Sequence, residues 1–182
     1  MTDLSHLQLD MSSADLLCDT PGLRVSLETA DCLWACPLIG MEQSDPNLPA
    51  VGHTKERNGS HMLRLQRDTL YVVGDTTNVP EVSSNAHDQS HAWNSVNISG
   101  EMTPALMERL CMLDVTGPGF PPGRISRTLM DHTGVIAWHI NNAEFKLFVA
   151  TSYTSSLVER VRQCAKDLLA LHDFHERASS TH

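Results

Sequence analysis

Residues 124–150 read RISRTLMDHTGVIAWHINNAEFKLFVA and predict three strands joined by tight turns. The strands are expected at 124–130, 135–140 and 144–150, where β-branched and aromatic residues are frequent. Asp-His-Thr-Gly and Asn-Asn supply the turns between them. Strands this close in sequence pair as antiparallel neighbours, so the segment predicts three neighbouring strands of an antiparallel-rich sheet.

The last of these strands has two partly apolar faces. Phe145, Leu147 and Val149 lie on one face, and Phe148 lies on the other with Glu144 and Lys146. Because a sheet covered on one side alone would leave Phe148 in water, the second face must also be covered. We expect either a helix from the N-terminal half or another subunit to cover it.

A strand and two helices are expected on either side of these three strands in the sequence. A strand is expected at 93–99, followed by a helix with Thr103 as N-cap and Pro104 at its first position. A final helix over about 153–171 carries one apolar stripe. The order of elements predicts an α+β fold of antiparallel-rich sheets with helices packed on one face.

The N-terminal half has shorter apolar patterns. Alternation over 23–28 and an apolar run over 33–39 each predict a strand, and 62–65 with 70–73 predict a hairpin. Residues 40–60 are expected to be loop.

Composition shifts divide the chain into an arm and one domain. Residues 1–20 lack strong periodicity and are expected to fray or to lie on a partner. The domain then spans 21–182, with small units at about 21–75 and 91–175 joined by the polar, turn-rich segment 74–90.

The charge balance argues against two classes of partner. Thirteen basic and 22 acidic residues among 182 give a formal net charge of -9, which repels nucleic acid phosphates. No apolar run approaches the roughly 20 residues of a membrane span. The acidic N-terminus does not resemble a signal peptide, so we expect a cytoplasmic chain with its five cysteines reduced.

A zinc site is the first chemical alternative. Its possible ligands are Cys32, Cys36, His87, His91, His172 and His175. Structural zinc sites usually show two close ligand pairs in compact loops, whereas these cysteines lie in an apolar stretch. Buried thiols are therefore the favoured interpretation, and Cys111 and Cys164 are expected to be small core residues.

No residue set predicts catalysis. The chain has no Gly-x-Ser-x-Gly motif, and no spacing of its serines and histidines fixes a triad. His132 and His139 are expected in a turn and a strand, with surface or partly satisfied roles. Asp131 and Glu144 lie at strand ends, where acids are ordinary. We predict no catalytic, cofactor-binding or metal-binding residues in this chain.

The segment GPGFPPG at 117–123 could be either a phosphate loop or a stiff corner. Phosphate loops lead from a strand into a helix N-terminus, whereas this segment leaves a helix and enters a strand. Its prolines also remove backbone N–H donors. The segment therefore predicts a rigid helix-to-strand corner.

The stretch 93–164 resembles the gamma subunit of heterotetrameric sarcosine oxidase. The resemblance is carried in order by NSVNISGEMTPALMERL, CMLDV, FPPG, RISRTLM, VIAWHI and FKLFVATSYTSSLVERV. The N-terminal half matches more loosely, through LRVSLETADCLWACPLIG and MLRLQRDTLYVVGD. The resemblance implies a fold related to the folate-binding aminomethyltransferase of glycine cleavage, without its complete tetrahydrofolate pocket.

The same resemblance implies a role and a set of partners. The family's complex demethylates sarcosine oxidatively to glycine. Its alpha, beta and delta subunits hold NAD, FAD, FMN, zinc and a tetrahydrofolate site, and gamma holds no cofactor. A noncatalytic assembly subunit is implied, with Phe120, Pro121, Pro122, Gly123 and Phe148 as candidate interface residues. The alternatives are a free-standing tetrahydrofolate-binding one-carbon transfer protein and an unrelated adaptor.

Overall fold

The computed structural model describes residues 15–29, 33–38, 46–74 and 85–179. The helices are α1 (Thr103–Leu110) and α2 (Thr154–Ser179). The strands are β1 (Asp15–Thr20), β2 (Leu23–Thr29), β3 (Leu33–Pro37), β4 (His53–Arg57), β5 (Ser60–Arg64), β6 (Thr69–Gly74), β7 (His87–Asp88), β8 (Trp93–Ser99), β9 (Ile125–Met130), β10 (Thr133–Asn141) and β11 (Glu144–Ala150).

These strands form two antiparallel sheets. Six of the described strands form the large sheet, in the order β1-β2-β8-β11-β10-β9. Five form the small sheet, in the order β4-β5-β6-β3-β7. The three strands predicted over 124–150 are confirmed, because β9, β10 and β11 pair as consecutive antiparallel neighbours. The predicted α+β class with antiparallel sheets is confirmed as well.

Both helices pack on one face of the large sheet. Leu106, Met107 and Leu110 of α1 are buried there, beside the apolar stripe of α2. Phe145 and Leu147 of β11 face the same cluster and are fully buried. The period-2 alternation of the strands and the 3.6-residue period of the helices therefore meet in one core.

The opposite face of the large sheet packs against the small sheet. Ile136, Trp138 and Phe148 from the large sheet share a buried cluster with residues of β3, β5 and β6. The expectation that a helix or another subunit covers Phe148 is wrong, because a sheet from the same chain covers it. Two sheets packed face to face bury alternate side chains between them.

The N-terminal elements differ from their prediction in two places. Residues 15–20, expected in an arm, form β1 and pair with β2 at the edge of the large sheet. Residues 53–57, expected in a loop, form β4. The hairpin of β4 and β5 turns at Asn58-Gly59, and both residues have positive φ, as a two-residue hairpin turn of type I′ requires.

The sheets do not follow the sequence division at 21–75 and 91–175. β2 hydrogen-bonds to β8 of the C-terminal unit, so the N-terminal segment contributes to both sheets. β7, within the predicted linker, pairs with β3 of the small sheet. Residues 1–14 and 75–84 lie outside the described residues.

The helix boundaries are close to their prediction. α1 begins at Thr103, which is its first residue and not its N-cap; Met102 is the N-cap, and no side chain caps the helix. Proline lies in the first turn, as predicted. α2 begins one residue after its predicted start and extends further, to Ser179. Neither helix, within the described ranges, has the length and apolar character of a membrane span.

The core position of Phe148 can be tested on the isolated chain. Phe148→Ala is expected to lower the free energy of unfolding by about 3–5 kcal/mol, because it leaves a cavity between the sheets. Leu129→Ala is the control, since Leu129 is 63% exposed on β9. Urea unfolding followed by circular dichroism measures both. Equal stability of Phe148→Ala and the parent chain would place Phe148 at the surface.

Candidate functional site

The corner between α1 and β9 is compact because of one carboxylate. Asp114 accepts a hydrogen bond from the Gly119 backbone N–H at 3.0 Å, and its backbone carbonyl accepts another from Phe120 at 3.1 Å. Gly117 and Gly119 both lie against Asp114, so that a Cβ on either would collide with it. The glycines of GPG therefore give the aspartate space within the turn.

A buried aromatic stack anchors the end of the corner. The His139 ring stacks on Phe145, with centroids 4.1 Å apart, and more distantly on Phe120 at 6.0 Å. His139 Nδ1 donates to the Phe120 carbonyl at 2.7 Å, which fixes its tautomer. Only 2% of His139 is exposed, so of the two roles expected for it the surface role is wrong and the partly satisfied role is confirmed. Its Nε2 has no hydrogen-bond partner among the described residues.

Backbone hydrogen bonds at the end of the corner join the two sheets. The Gly123 N–H donates to His139 of the large sheet at 2.7 Å, and the Gly123 carbonyl accepts from Thr54 of the small sheet at 3.0 Å. The Ile125 N–H also donates to Gly52 at 3.0 Å. GPGFPPG therefore ends in a junction between sheets, and this agrees with a stiff corner.

The predicted interface residues divide into two groups. Phe120 and Phe148 are 4% and 1% exposed, so their side chains belong to the core of this chain and form no partner surface. Pro121 and Pro122 are exposed, and Gly123 is half-buried with φ +82°. The corner prolines remain candidate interface residues.

A cavity of about 460 Å³ lies beside this junction. Arg124 and Arg127 line it with apolar side chains that include Val51, Leu65 and Leu113. Arg127 donates to the Tyr71 hydroxyl at 3.1 Å and so reaches from the large sheet to the small one. No aspartate or glutamate is among the described residues that line the cavity. Sequence reasoning missed this cavity, because its walls come from segments far apart in the chain.

A second cleft, of about 410 Å³, lies between the sheets on the side of β2. Its walls carry both signs of charge, and Lys146 pairs there with Glu28 at 3.7 Å. The His61 ring lies on Trp138, with centroids 4.7 Å apart. Because the cleft already contains an ion pair, it offers less uncompensated charge than the cavity at the junction.

The residues weighed as possible zinc ligands are not gathered into a site among the described residues. Cys36 is buried, and burial raises the pKa of its thiol to about 11. His87, His91 and His172 are exposed. Cys32 lies outside the described residues, and the side chain of His175 is also outside them. No cluster of metal-ligating residues occurs in the described part of the chain.

The other residues considered for chemistry have structural positions. Cys111 and Cys164 are buried, as predicted, and burial raises the pKa of the Cys111 thiol. Asp131 and His132 form the exposed turn between β9 and β10, where the two side chains lie 3.5 Å apart. Glu144 accepts a hydrogen bond from Asn141 at 2.8 Å in the next turn.

The fold is similar to that of one chain in a solved enzyme complex. With a TM-score of 0.67, it matches a chain of the heterotetrameric sarcosine oxidase from Corynebacterium sp. U-96, solved in complex with pyrrole 2-carboxylate. The match covers 80% of this chain and 85% of that chain, at 14% sequence identity. No protein-family model and no curated protein matches the sequence. At this identity the likeness shows a shared fold.

The left-handed backbone conformation at the sheet junction can be tested with two glycines. An added Cβ at Gly123 or Gly134 would meet no atom within 4 Å, but only Gly123 has positive φ. Gly123→Ala is therefore expected to cost about 1–2 kcal/mol of unfolding free energy, and Gly134→Ala close to nothing or a slight gain. Urea unfolding measures both variants. Equal unfolding free energies for the two variants would contradict a left-handed backbone conformation at Gly123.

Thiol labelling tests the burial of Cys36. Because the thiolate is the reactive form, iodoacetamide at pH 8 should modify Cys36 far more slowly than the half-buried Cys18. The Cys36 rate should then rise by about tenfold per pH unit towards a pKa near 11. Peptide mass spectrometry follows both sites, with the urea-unfolded chain as control. Equal native rates at pH 8 would contradict the burial of this thiol.

Proposed function

We propose that this chain is a noncatalytic structural subunit, equivalent to gamma, of a multisubunit flavin-dependent complex of the sarcosine oxidase type. The observation that carries the proposal is the shared fold with a chain of a sarcosine oxidase heterotetramer. The aligned region is a similar share of both chains, so the two chains are close in length. The ordered motifs from NSVNISG to FKLFVATSYTSSLVERV support the same assignment.

In this proposal the chain contributes shape to the complex. Its partners are alpha, beta and delta subunits, which hold FAD, FMN, NAD, zinc and tetrahydrofolate. The complex oxidatively demethylates sarcosine or a related N-methyl amino acid in the cytoplasm, and the substrate is selected by a pocket in another subunit. The stiff corner supports an assembly role, because a surface that is ordered before binding loses little entropy when a partner docks.

The thiols and histidines support a noncatalytic chain. Nucleophilic cysteines have lowered pKa values and partial exposure, whereas burial raises the pKa of both Cys36 and Cys111. His139, the most enclosed of the described histidines considered above, is held by a backbone carbonyl and two aromatic rings. These residues have the surroundings of core side chains.

Co-expression with the alpha, beta and delta subunits of a sarcosine oxidase operon tests the proposal. We expect the tagged chain to purify with alpha, beta and delta in equal amounts, and the complex to oxidise sarcosine. The chain expressed alone should show no flavin absorbance and no amine oxidation. Sarcosine turnover by the isolated chain would refute a noncatalytic role. Saturable tetrahydrofolate binding by the isolated chain, without assembly, would support the one-carbon alternative.

The same co-expression tests the corner prolines. Pro121→Ala with Pro122→Ala should lower the yield of complex, because the loop becomes less rigid before docking. The stability of the isolated chain should change by less than about 1 kcal/mol, since both prolines are exposed and Ala retains the Pro121 carbonyl that accepts from Arg124. Pro118→Ala, at another exposed proline of the same segment, is the control. An unchanged yield of complex would remove the prolines from the interface.

A further inference from the structure

The cavity at the sheet junction has an unbalanced positive charge. Two arginines, Arg124 and Arg127, line it, and its described walls include no acidic residue. This is unusual in a chain whose formal net charge is -9. An acidic chain that places two guanidinium groups around one cavity attracts anions to that cavity.

One edge of the Arg124 guanidinium is hydrogen-bonded, and the nitrogens of another edge have no described hydrogen bond. Its Nη1 donates to the His53 ring, 3.0 Å from Nε2 and 3.4 Å from Nδ1. Its Nε is buried and has no hydrogen-bond partner among the described residues. Its Nη2 lies over Gly52, where an added Cβ would come within 3.4 Å of it, and no described hydrogen bond involves Nη2. Nε and Nη2 form the edge that binds a carboxylate through two parallel hydrogen bonds.

Several backbone N–H groups beside the cavity already donate hydrogen bonds within the chain. The N–H groups of Gly52, Gly119, Gly123 and Arg124 donate to protein oxygens, and the corner prolines carry none. A phosphate nest needs several free backbone N–H groups. The charged donors that line the cavity are planar guanidinium groups, whose edges favour a planar carboxylate.

We propose that this cavity binds a carboxylate, held by the Nε and Nη2 edge of Arg124. Arg127, oriented by its hydrogen bond to Tyr71, supplies the second positive charge. Val51, Leu65 and Leu113 form an apolar wall that suits a short hydrocarbon stem. The carboxylate belongs either to a free organic acid or to an acidic side chain of another protein. The proposal does not depend on the assembly proposed above, because it rests on this chain alone.

Titration of the full chain by NMR tests the site directly. The chain labelled with ¹⁵N is titrated with sodium acetate and, separately, with the blocked peptide acetyl-Gly-Glu-Gly-amide. Sodium chloride at matched ionic strength corrects for screening. We expect a saturable shift of the Arg124 Nε–H signal with acetate beyond the chloride effect. Arg124→Lys keeps the charge but loses the two-donor edge, so its acetate affinity, measured from neighbouring backbone amides, should fall by at least about tenfold.

The control variant is Arg160→Lys, at an exposed arginine of α2 outside the cavity, which should bind acetate like the parent chain. Binding of acetate alone supports a free organic acid as ligand, and binding of both probes supports a side-chain carboxylate. Unchanged backbone amide spectra away from the cavity show that Arg124→Lys remains folded. The proposal is overturned if neither probe shifts the Arg124 signal beyond chloride, if inorganic phosphate binds and acetate does not, or if Arg124→Lys binds acetate like the parent chain.

Discussion

The large sheet has two apolar faces, and the rest of the structure follows from the need to bury both. One face takes the helices, as in many α+β domains. The other carries Ile136, Trp138 and Phe148, and no helix of the described residues covers it. The chain covers this face with a second sheet built from its own N-terminal half. Three layers result, with the large sheet in the middle, and its central strands are buried on both sides.

Such a sandwich must control how its sheets are positioned, and here a short corner contributes to that control. Gly123 bonds to the large sheet through its N–H and to the small sheet through its carbonyl. The same residue follows two prolines and has a backbone conformation that favours glycine. Phe120 fixes the start of this turn in the core, beside His139. The residues that make the corner rigid therefore also hold the two sheets in position relative to each other.

The sequence predicts the elements better than it predicts their partners. The three consecutive strands are recognisable because alternation and tight turns are local signals. The hairpin of β4 and β5 was also within reach, because Asn58-Gly59 is a strong two-residue turn signal, although its strands are polar. The pairing of β2 with β8 cannot be predicted from the sequence, since about seventy positions separate the two strands and alternation does not identify the neighbour of a strand. For the same reason the sequence predicts that Phe148 is covered but does not identify the element that covers it.

In the candidate site, too, local features can be predicted from the sequence and long-range contacts cannot. His53 begins β4 and Arg124 directly precedes β9, 71 positions away, so no local motif joins them. Prolines and glycines do predict a rigid corner, and the backbone hydrogen bonds at its end agree with one, but they give no signal for the cavity beside it. The corner matters chemically because it brings Arg124 to the junction and ties up the neighbouring backbone donors. A cavity lined by two arginines can thus arise at the sheet junction from the requirements of packing, before any ligand selects it.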